Sequence, residues 1–234
     1  MDITRVNPRA ALFACRAQRR VSRGFLRQFV SWMPVGAARV LDVGSGTGTL
    51  ALQLAERASF VVGVDTSPAM IGLARKSQIE SGKANAAWVI ASADALPFPA
   101  ATFDYITSTY ALRLSTLDRS LPEIRRTIKP GGRVAITDNV SPAGRFGFWI
   151  DRFRRTILFL PQLLRLYGWR GTWRIVAYQL GREGVQHDYQ THMDAISFVE
   201  VFQRYFPEKE RRFILSPGRL FWENAPEGRD LPSE

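Results

Sequence analysis

Residues 41–50 read LDVGSGTGTL. They hold the end of an apolar, β-branched run, three glycines at alternate positions and the start of a helix. RVLDV (39–43) reads as a buried strand and TLALQLAER (49–57) as a helix. Between them Gly44, Gly46 and Gly48 let the backbone turn sharply and approach a ligand closely. The N–H groups opening the helix then point at a carboxylate or phosphate. A dinucleotide fingerprint, G-x-G-x-x-G, wants glycine at 49, where this chain has Thr49, so the third glycine comes one residue early. An acid closing the second strand, Asp65, suits ribose recognition with either kind of ligand.

Outward from this turn, short β-branched runs alternate with longer amphipathic ones, the pattern of a βαβ protein with a parallel sheet. FVVGVD (60–65) is a second strand. Ser67 caps a helix with Pro68 at its first position, and Gly82 stops it. AAWVIAS (86–92) and FDYITST (103–109) are the third and fourth strands. LPEIRRTIK (121–129) predicts a helix ended by Pro130-Gly131-Gly132, and RVAITD (133–138) the fifth strand. RRFILSPGRLFWEN (211–224) predicts two strands around a Pro217-Gly218 turn. No internal repeat is apparent, and residues 226–234 are expected to be disordered.

With 234 residues, 46% hydrophobic and 12% aromatic, the composition suits one domain with a sizeable core and is too apolar for a disordered chain. A single cysteine, Cys15, excludes an internal disulfide. No Cys/His cluster has zinc-ligand spacing, so no metal is expected. The longest nearly unbroken apolar run, residues 156–164, falls short of the roughly 18–20 residues that cross a bilayer. Residues 1–20 lack an apolar core before a cleavage site, so no secretory signal is expected. The net charge of +11 is unevenly placed. Residues 3–41 hold eight Arg and no acid, and residues 144–182 hold eight Arg and only Asp151. The remaining 16 basic and 20 acidic groups leave a body of −4. Two strongly basic segments are attached to a mildly acidic core.

Four motifs in order resemble those of the class I S-adenosylmethionine-dependent methyltransferases of the small-molecule type: VLDVGSGTG (40–48), VVGVDTSPAMIGLAR (61–75), ASADALPFPAATFDYITS (91–108) and IKPGGRVAITD (128–138). The similarity spans residues 38–138. It implies a Rossmann-like, doubly wound, seven-stranded α/β sheet with a C-terminal antiparallel hairpin and an inserted helical lid. S-adenosyl-L-methionine is the implied cofactor. Gly44, Gly46 and Gly48 would line its methionine end, with Asp42 near the ammonium. Asp65 would accept both ribose hydroxyls, with Thr66 and Met70 beside ribose and adenine. Asp94 would accept the adenine amino group, with Ala93 and Leu96 near the ring. The implied organisation is basic lid helices over 1–37, a cofactor-binding core over 38–140, a helical acceptor cover over 141–208 and a closing hairpin over 209–225.

Methyl transfer from a sulfonium is a direct displacement in which alignment contributes much, roughly 7–11 kcal/mol. The acceptor is expected beyond the C-terminal ends of strands four and five, which points to Tyr110, Arg113, Asp138 and Asn139. The Asn/Asp-Pro-Pro-Tyr/Phe motif of amino-group methyltransferases is absent, since residues 108–114 read STYALRL. That argues against adenine N6 or glutamine as acceptor. Of the two histidines, His187 and His192, His187 is the best single candidate for a base, the alternative being a surface or structural histidine. Asp138 and Tyr110 complete the catalytic candidates.

The segment PFPAATFDYITSTYALR (97–113) resembles the ubiquinone/menaquinone ring C-methyltransferases, with Ala-Leu-Arg-Leu (111–114) where they usually have Gly-Leu-Arg-Asn. Residues 144–182 interleave eight Arg with nine aromatics, a pattern suited to a lipophilic acceptor, an anionic membrane surface or stacked RNA bases. The leading expectation is therefore O- or C-methylation of a lipophilic small molecule by a cytoplasmic enzyme with peripheral contact to an anionic membrane surface. An RNA methyltransferase is the alternative drawn from charge, against which no separate RNA-binding module is visible. A cofactor-binding protein without transferase activity is the alternative drawn from the lack of an obvious base.

Overall fold

In the computed structural model the apolar runs form a sheet in the order β3-β2-β1-β4-β5-β7-β6. The strands are β1 (Arg39–Val43), β2 (Phe60–Asp65), β3 (Ala86–Ile90), β4 (Phe103–Thr109), β5 (Ile128–Asp138), β6 (Arg211–Ser216) and β7 (Arg219–Asn224). The first five run parallel, and β7 pairs antiparallel with both β5 and β6. The described residues are 23–138, 195–206, 211–216 and 219–224, with nine helical positions between 153 and 176. The expectations placed on residues 1–22, on His187 and on the 226–234 tail lie outside them. So do Asn139 and most of the 141–208 cover.

Helices α1 (Arg23–Trp32), α2 (Thr49–Leu54), α3 (Pro68–Ser81), α4 (Leu117–Thr127) and α5 (Ala195–Tyr205) cover the sheet on both faces. Because side chains alternate along a strand, β1 to β5 supply two cores, one on each face of the sheet. Val40, Val61, Trp88, Tyr105 and Ala135 pack with Leu26 and Phe29 of α1, Leu50 and Leu54 of α2 and Ile71 of α3. On the opposite face Leu41, Val64, Ile106, Val134 and Ile136 pack with Leu121 and Ile124 of α4, Phe202 of α5 and Phe206 just beyond it. Strands buried on both faces explain why RVLDV and FDYITST show little polar alternation.

The last turn of α1 is tied down by its carbonyls, which no intrahelical N–H can satisfy. Tyr105 Oη donates to Phe29 O at 3.0 Å, Arg57 to Val30 O at 2.7 Å and Arg133 to Trp32 O at 3.2 Å. Two cations at a helix C-terminus also complement its dipole. Thus part of the basic N-terminal segment is anchored on the sheet.

Several boundaries differ from the sequence reading. The helix expected over 121–129 occupies 117–127, with Thr116 as its N-cap residue. Pro122 lies inside it rather than near its start. Proline supplies no N–H to the carbonyl four residues back, here Asp118. The Tyr205 hydroxyl of α5 lies 3.4 Å from that oxygen and 3.0 Å from the Asp118 carboxylate. Pro130-Gly131-Gly132 does not separate helix from strand, because β5 already begins at Ile128. Phe103 pairs with Ile128 and Tyr105 with Arg133, so the intervening residues bulge from the ladder. The second helix ends at Leu54 and the third strand at Ile90, each earlier than expected.

Candidate functional site

In a parallel sheet, ligands bind beyond the carboxyl ends of the strands where the strand order reverses. Here that point lies between β1 and β4, neighbours in the sheet but separated in sequence by β2 and β3. The turn after β1 is fixed from below, since Gly44 and Ser45 N–H both donate to Val64 O at 2.8 and 2.9 Å. Its glycines have different physical duties. A Cβ at Gly44 would collide with Ala111 in the loop after β4, and one at Gly48 with the Trp88 ring. A Cβ at Gly46 would meet nothing within 4 Å, so Gly46 borders open space while its neighbours make room for the protein itself. That accounts for the displaced third glycine: position 48 yields to Trp88.

Trp88 had no place in the sequence reading. It stands beside Gly63 in register, and a Cβ on Gly63 would also strike its ring. Gln78 of α3 accepts its indole N–H at 2.7 Å. The ring therefore props the glycine turn from β3. A lone tryptophan next to a strand glycine is the only signal the sequence offers for it.

Two acids flank the turn. Asp65, at the end of β2, accepts Gly46 N–H on Oδ2 and Ser67 N–H on Oδ1, both at 2.9 Å. Each carboxylate oxygen keeps acceptor capacity for a further donor. Asp42, near the end of β1, is only 1% exposed. Thr107 Oγ1 donates to its Oδ1 at 3.0 Å, while Oδ2 has no hydrogen-bond partner among the described residues. Burial pushes the Asp42 carboxyl up to about 7; the Thr107 hydrogen bond opposes that shift and the charge of Asp65 adds to it. A buried acceptor with one oxygen unpaired is costly, and a cationic group brought to it would remove that cost.

Thr66 is exposed and Met70 half-buried in the first turn of α3, where Met70 N–H reaches the capping Ser67 hydroxyl at 3.4 Å. On the other side, Asp94 accepts Thr116 N–H at 3.2 Å, joining its loop to the start of α4. Leu96 is buried in the core with Ala93 packed against it. A clamp absent from the sequence reading holds this loop. Glu123 Oε2 accepts Leu96 N–H at 2.8 Å, and Arg126 donates to Leu96 O at 2.9 Å and Phe98 O at 2.6 Å. Arg126 also pairs with Glu123 at 2.6 Å, which holds the Glu123 carboxyl below its ordinary range. The pair resembles any i,i+3 surface pair in sequence, so nothing there distinguishes it.

Beyond β4, Tyr110 has a left-handed backbone, φ 58°, and its N–H donates to Thr137 O at 2.8 Å. For a non-glycine residue this conformation costs on the order of 1–2 kcal/mol. It turns the chain out of β4 so that Ala111 meets Gly44 and a 3₁₀ turn begins at Leu112. Asp138 ends β5, fully buried and in register with Leu220. The structure thus gathers Asp42, Gly46, Asp65, Tyr110 and Asp138 at the carboxyl ends of β1, β2, β4 and β5. Among the described residues no group of three or more His, Cys, Asp or Glu is placed to hold a metal ion.

A family model described as a methyltransferase domain matches residues 40–132. A ubiquinone/menaquinone biosynthesis C-methyltransferase of Geobacter sulfurreducens is 32% identical over 186 residues, covering 75% of this chain and 69% of that protein. A demethylmenaquinone methyltransferase of Thermus thermophilus is 37% identical over 131 residues, 54% of this chain and 59% of its own length. An aklanonic acid methyltransferase of a Streptomyces species is 35% identical, with 56% and 60% covered. Among solved structures, a SAM-dependent methyltransferase from Aquifex aeolicus superposes with a TM-score of 0.59 at 15% identity over 94% of this chain and 100% of that one. A protein of Methanococcus maripaludis described in the same terms gives 0.63 at 16% identity, with 99% of both chains covered. These two likenesses are of fold.

Proposed function

Because this chain belongs to the S-adenosylmethionine-dependent methyltransferases, we propose that it methylates a lipophilic small molecule, at oxygen or ring carbon, of quinone, lipid-like or secondary-metabolite type. Its cofactor is S-adenosyl-L-methionine, which supplies a methyl group already activated on a sulfonium. The residues fit that molecule. The unpaired Asp42 Oδ2 suits the ammonium of its methionine end, and Gly46 in the turn after β1 borders open space. Asp65, held by Gly46 and Ser67, has capacity left for two ribose hydroxyls. Asp94 and the clamped 94–98 loop take the adenine side, with Thr66 and Met70 between.

Tyr110 and Asp138 stand on the acceptor side, at the ends of the strands where displacement would take place. In this reading Tyr110 orients the acceptor, and Asp138 or His187 receives a proton where the nucleophile must lose one. In this reading residues 141–208 form the acceptor cover, while α1 of the N-terminal segment is anchored on the sheet. Support for a lipophilic acceptor comes from the quinones and the aklanonic acid named by the relatives.

The orphaned Asp42 oxygen at the end of β1, below the open glycine turn that follows it, carries the reading. S-adenosylhomocysteine should raise the unfolding temperature, by about 2.7 kcal/mol of added stability at a hundredfold excess over Kd. Asp65→Ala should abolish that shift. A panel of hydroquinones and aromatic polyketides with labelled S-adenosylmethionine then identifies the acceptor. No thermal shift with the unmodified protein would overturn cofactor binding. Label transferred only to RNA would overturn the acceptor class.

A further inference from the structure

Between residues 153 and 176 the described helical positions divide into two sets. Thr172 and Val176, one turn apart, are buried at 2% and 6% exposure. Trp169 and Trp173, also one turn apart, are 71% and 62% exposed, and their rings stack at 6.2 Å with an interplanar angle of 10°. Phe153, Ile157 and Leu160 are 65%, 51% and 36% exposed, at spacings of four and three that recur on one helical face. Among the described positions, then, Phe153, Ile157, Leu160, Trp169 and Trp173 are turned to the outside while Thr172 and Val176 are buried. Elsewhere on the described surface, large exposed apolar residues such as Val35 and Ile79 fall singly.

The charge around these side chains identifies what they meet. Residues 144–182 carry eight Arg against Asp151 alone, and Arg170 and Arg174 each follow one of the stacked tryptophans. A second copy of the same segment would repel such a charge. An anionic lipid surface attracts it, and arginine pairs bidentately with phosphate. Tryptophan is favoured at the level of lipid headgroups, where its ring is half in hydrocarbon. The longest nearly unbroken apolar run of the segment, residues 156–164, is shorter than the roughly 18–20 residues that span a bilayer, which suits lying on the surface.

We propose that the exposed side chains Trp169 and Trp173, with Phe153, Ile157 and Leu160, dock on an anionic phospholipid bilayer, the stacked tryptophans being the interfacial anchor. Docking does not require methyl transfer, and a thermal shift with S-adenosylhomocysteine reports cofactor binding separately. In a test, the full chain is sedimented with phosphatidylcholine vesicles with and without phosphatidylglycerol across a salt series. Wild-type protein pellets with the anionic vesicles and is released by salt. Trp169→Ala/Trp173→Ala partitions about tenfold less, with unchanged unfolding temperature and unchanged S-adenosylhomocysteine shift. Should that variant misfold, quenching of wild-type tryptophan fluorescence by brominated lipid reads the same contact. The proposal is overturned if anionic vesicles leave the protein in the supernatant at low salt. It is equally overturned if the double variant binds like wild type, or if the tryptophans instead support a dimer or RNA binding in place of lipid binding.

Discussion

Asp42 works against folding at neutral pH. Its pKa is raised by burial from about 3.8 to about 7, so the folded state holds a proton there that the unfolded chain has lost. The associated stability is present below about pH 4 and disappears as pH rises through 7. A shift of this size corresponds to roughly 4 kcal/mol, partly offset in an Asn variant by a buried amide lacking a partner, about 1–3 kcal/mol. Asp42→Asn should therefore stabilise the protein by about 2 kcal/mol near pH 8, or ~4–8 °C, with little effect near pH 5. The same change should weaken S-adenosylhomocysteine at least tenfold, as read by calorimetry. The glycines separate in the opposite sense. Gly46→Ala meets no atom within 4 Å and should cost about 1 kcal/mol of backbone strain while strongly impairing cofactor binding. Gly48→Ala should cost about 2–4 kcal/mol by overpacking against Trp88, and combining it with Trp88→Leu should recover part of that loss in thermal unfolding.

At the level of elements, the Glu123–Arg126 clamp fixes the 94–98 loop from α4. Arg126→Ala frees Leu96 O and Phe98 O and should raise KM for S-adenosylmethionine about three- to tenfold with kcat nearly unchanged. The side chains are partly exposed, so solvent screening limits the stability loss to about 1 kcal/mol. The clamp also shows where sequence stops being informative. Asp65 and the glycine turn were legible because strand, turn and cap are set by adjacent residues. Glu123, Arg126 and Trp88 act on main chain or glycines about 25 to 40 residues away, and no local pattern marks them. Helix α4 began four residues earlier than read because Pro122, taken as sitting just after a start, has its missing hydrogen bond accommodated by Tyr205. The five parallel strands were placed by their apolar runs, with errors confined to ends such as the bulged entry of β5.

For the whole molecule, two sets of carboxylates titrate against each other. Partial burial raises the Asp104 pKa, but hydrogen bonds from Lys129 and from Arg39 and Ala38 N–H outweigh it and leave the pKa lowered. The hydrogen bond from Arg126 lowers that of Glu123. Groups with depressed pKa stabilise above their unfolded values and lose that contribution as pH falls below about 4. Screening keeps each to about 1 kcal/mol. With Asp42 acting in reverse, stability should peak near pH 4 to 5 and decline on either side, on the alkaline side as far as about pH 7. Unfolding temperatures across pH check this, and Asp42→Asn should flatten only the alkaline limb. The charge of +11 likewise resolves into parts, with the −4 body holding the cofactor residues and the basic segments flanking it.

Tyr110 leaves β4 in a conformation that tyrosine disfavours, held by Thr137 on one side and by the meeting of Ala111 with Gly44 on the other. The direction of that side chain is thus imposed by its neighbours' main chain, independently of what the side chain is. The position works as a socket. Asparagine, which tolerates left-handed backbone better, should keep the turn and the cofactor affinity while altering which acceptor is used. A lineage of such enzymes can then change substrates at one residue without reshaping the wall that carries it.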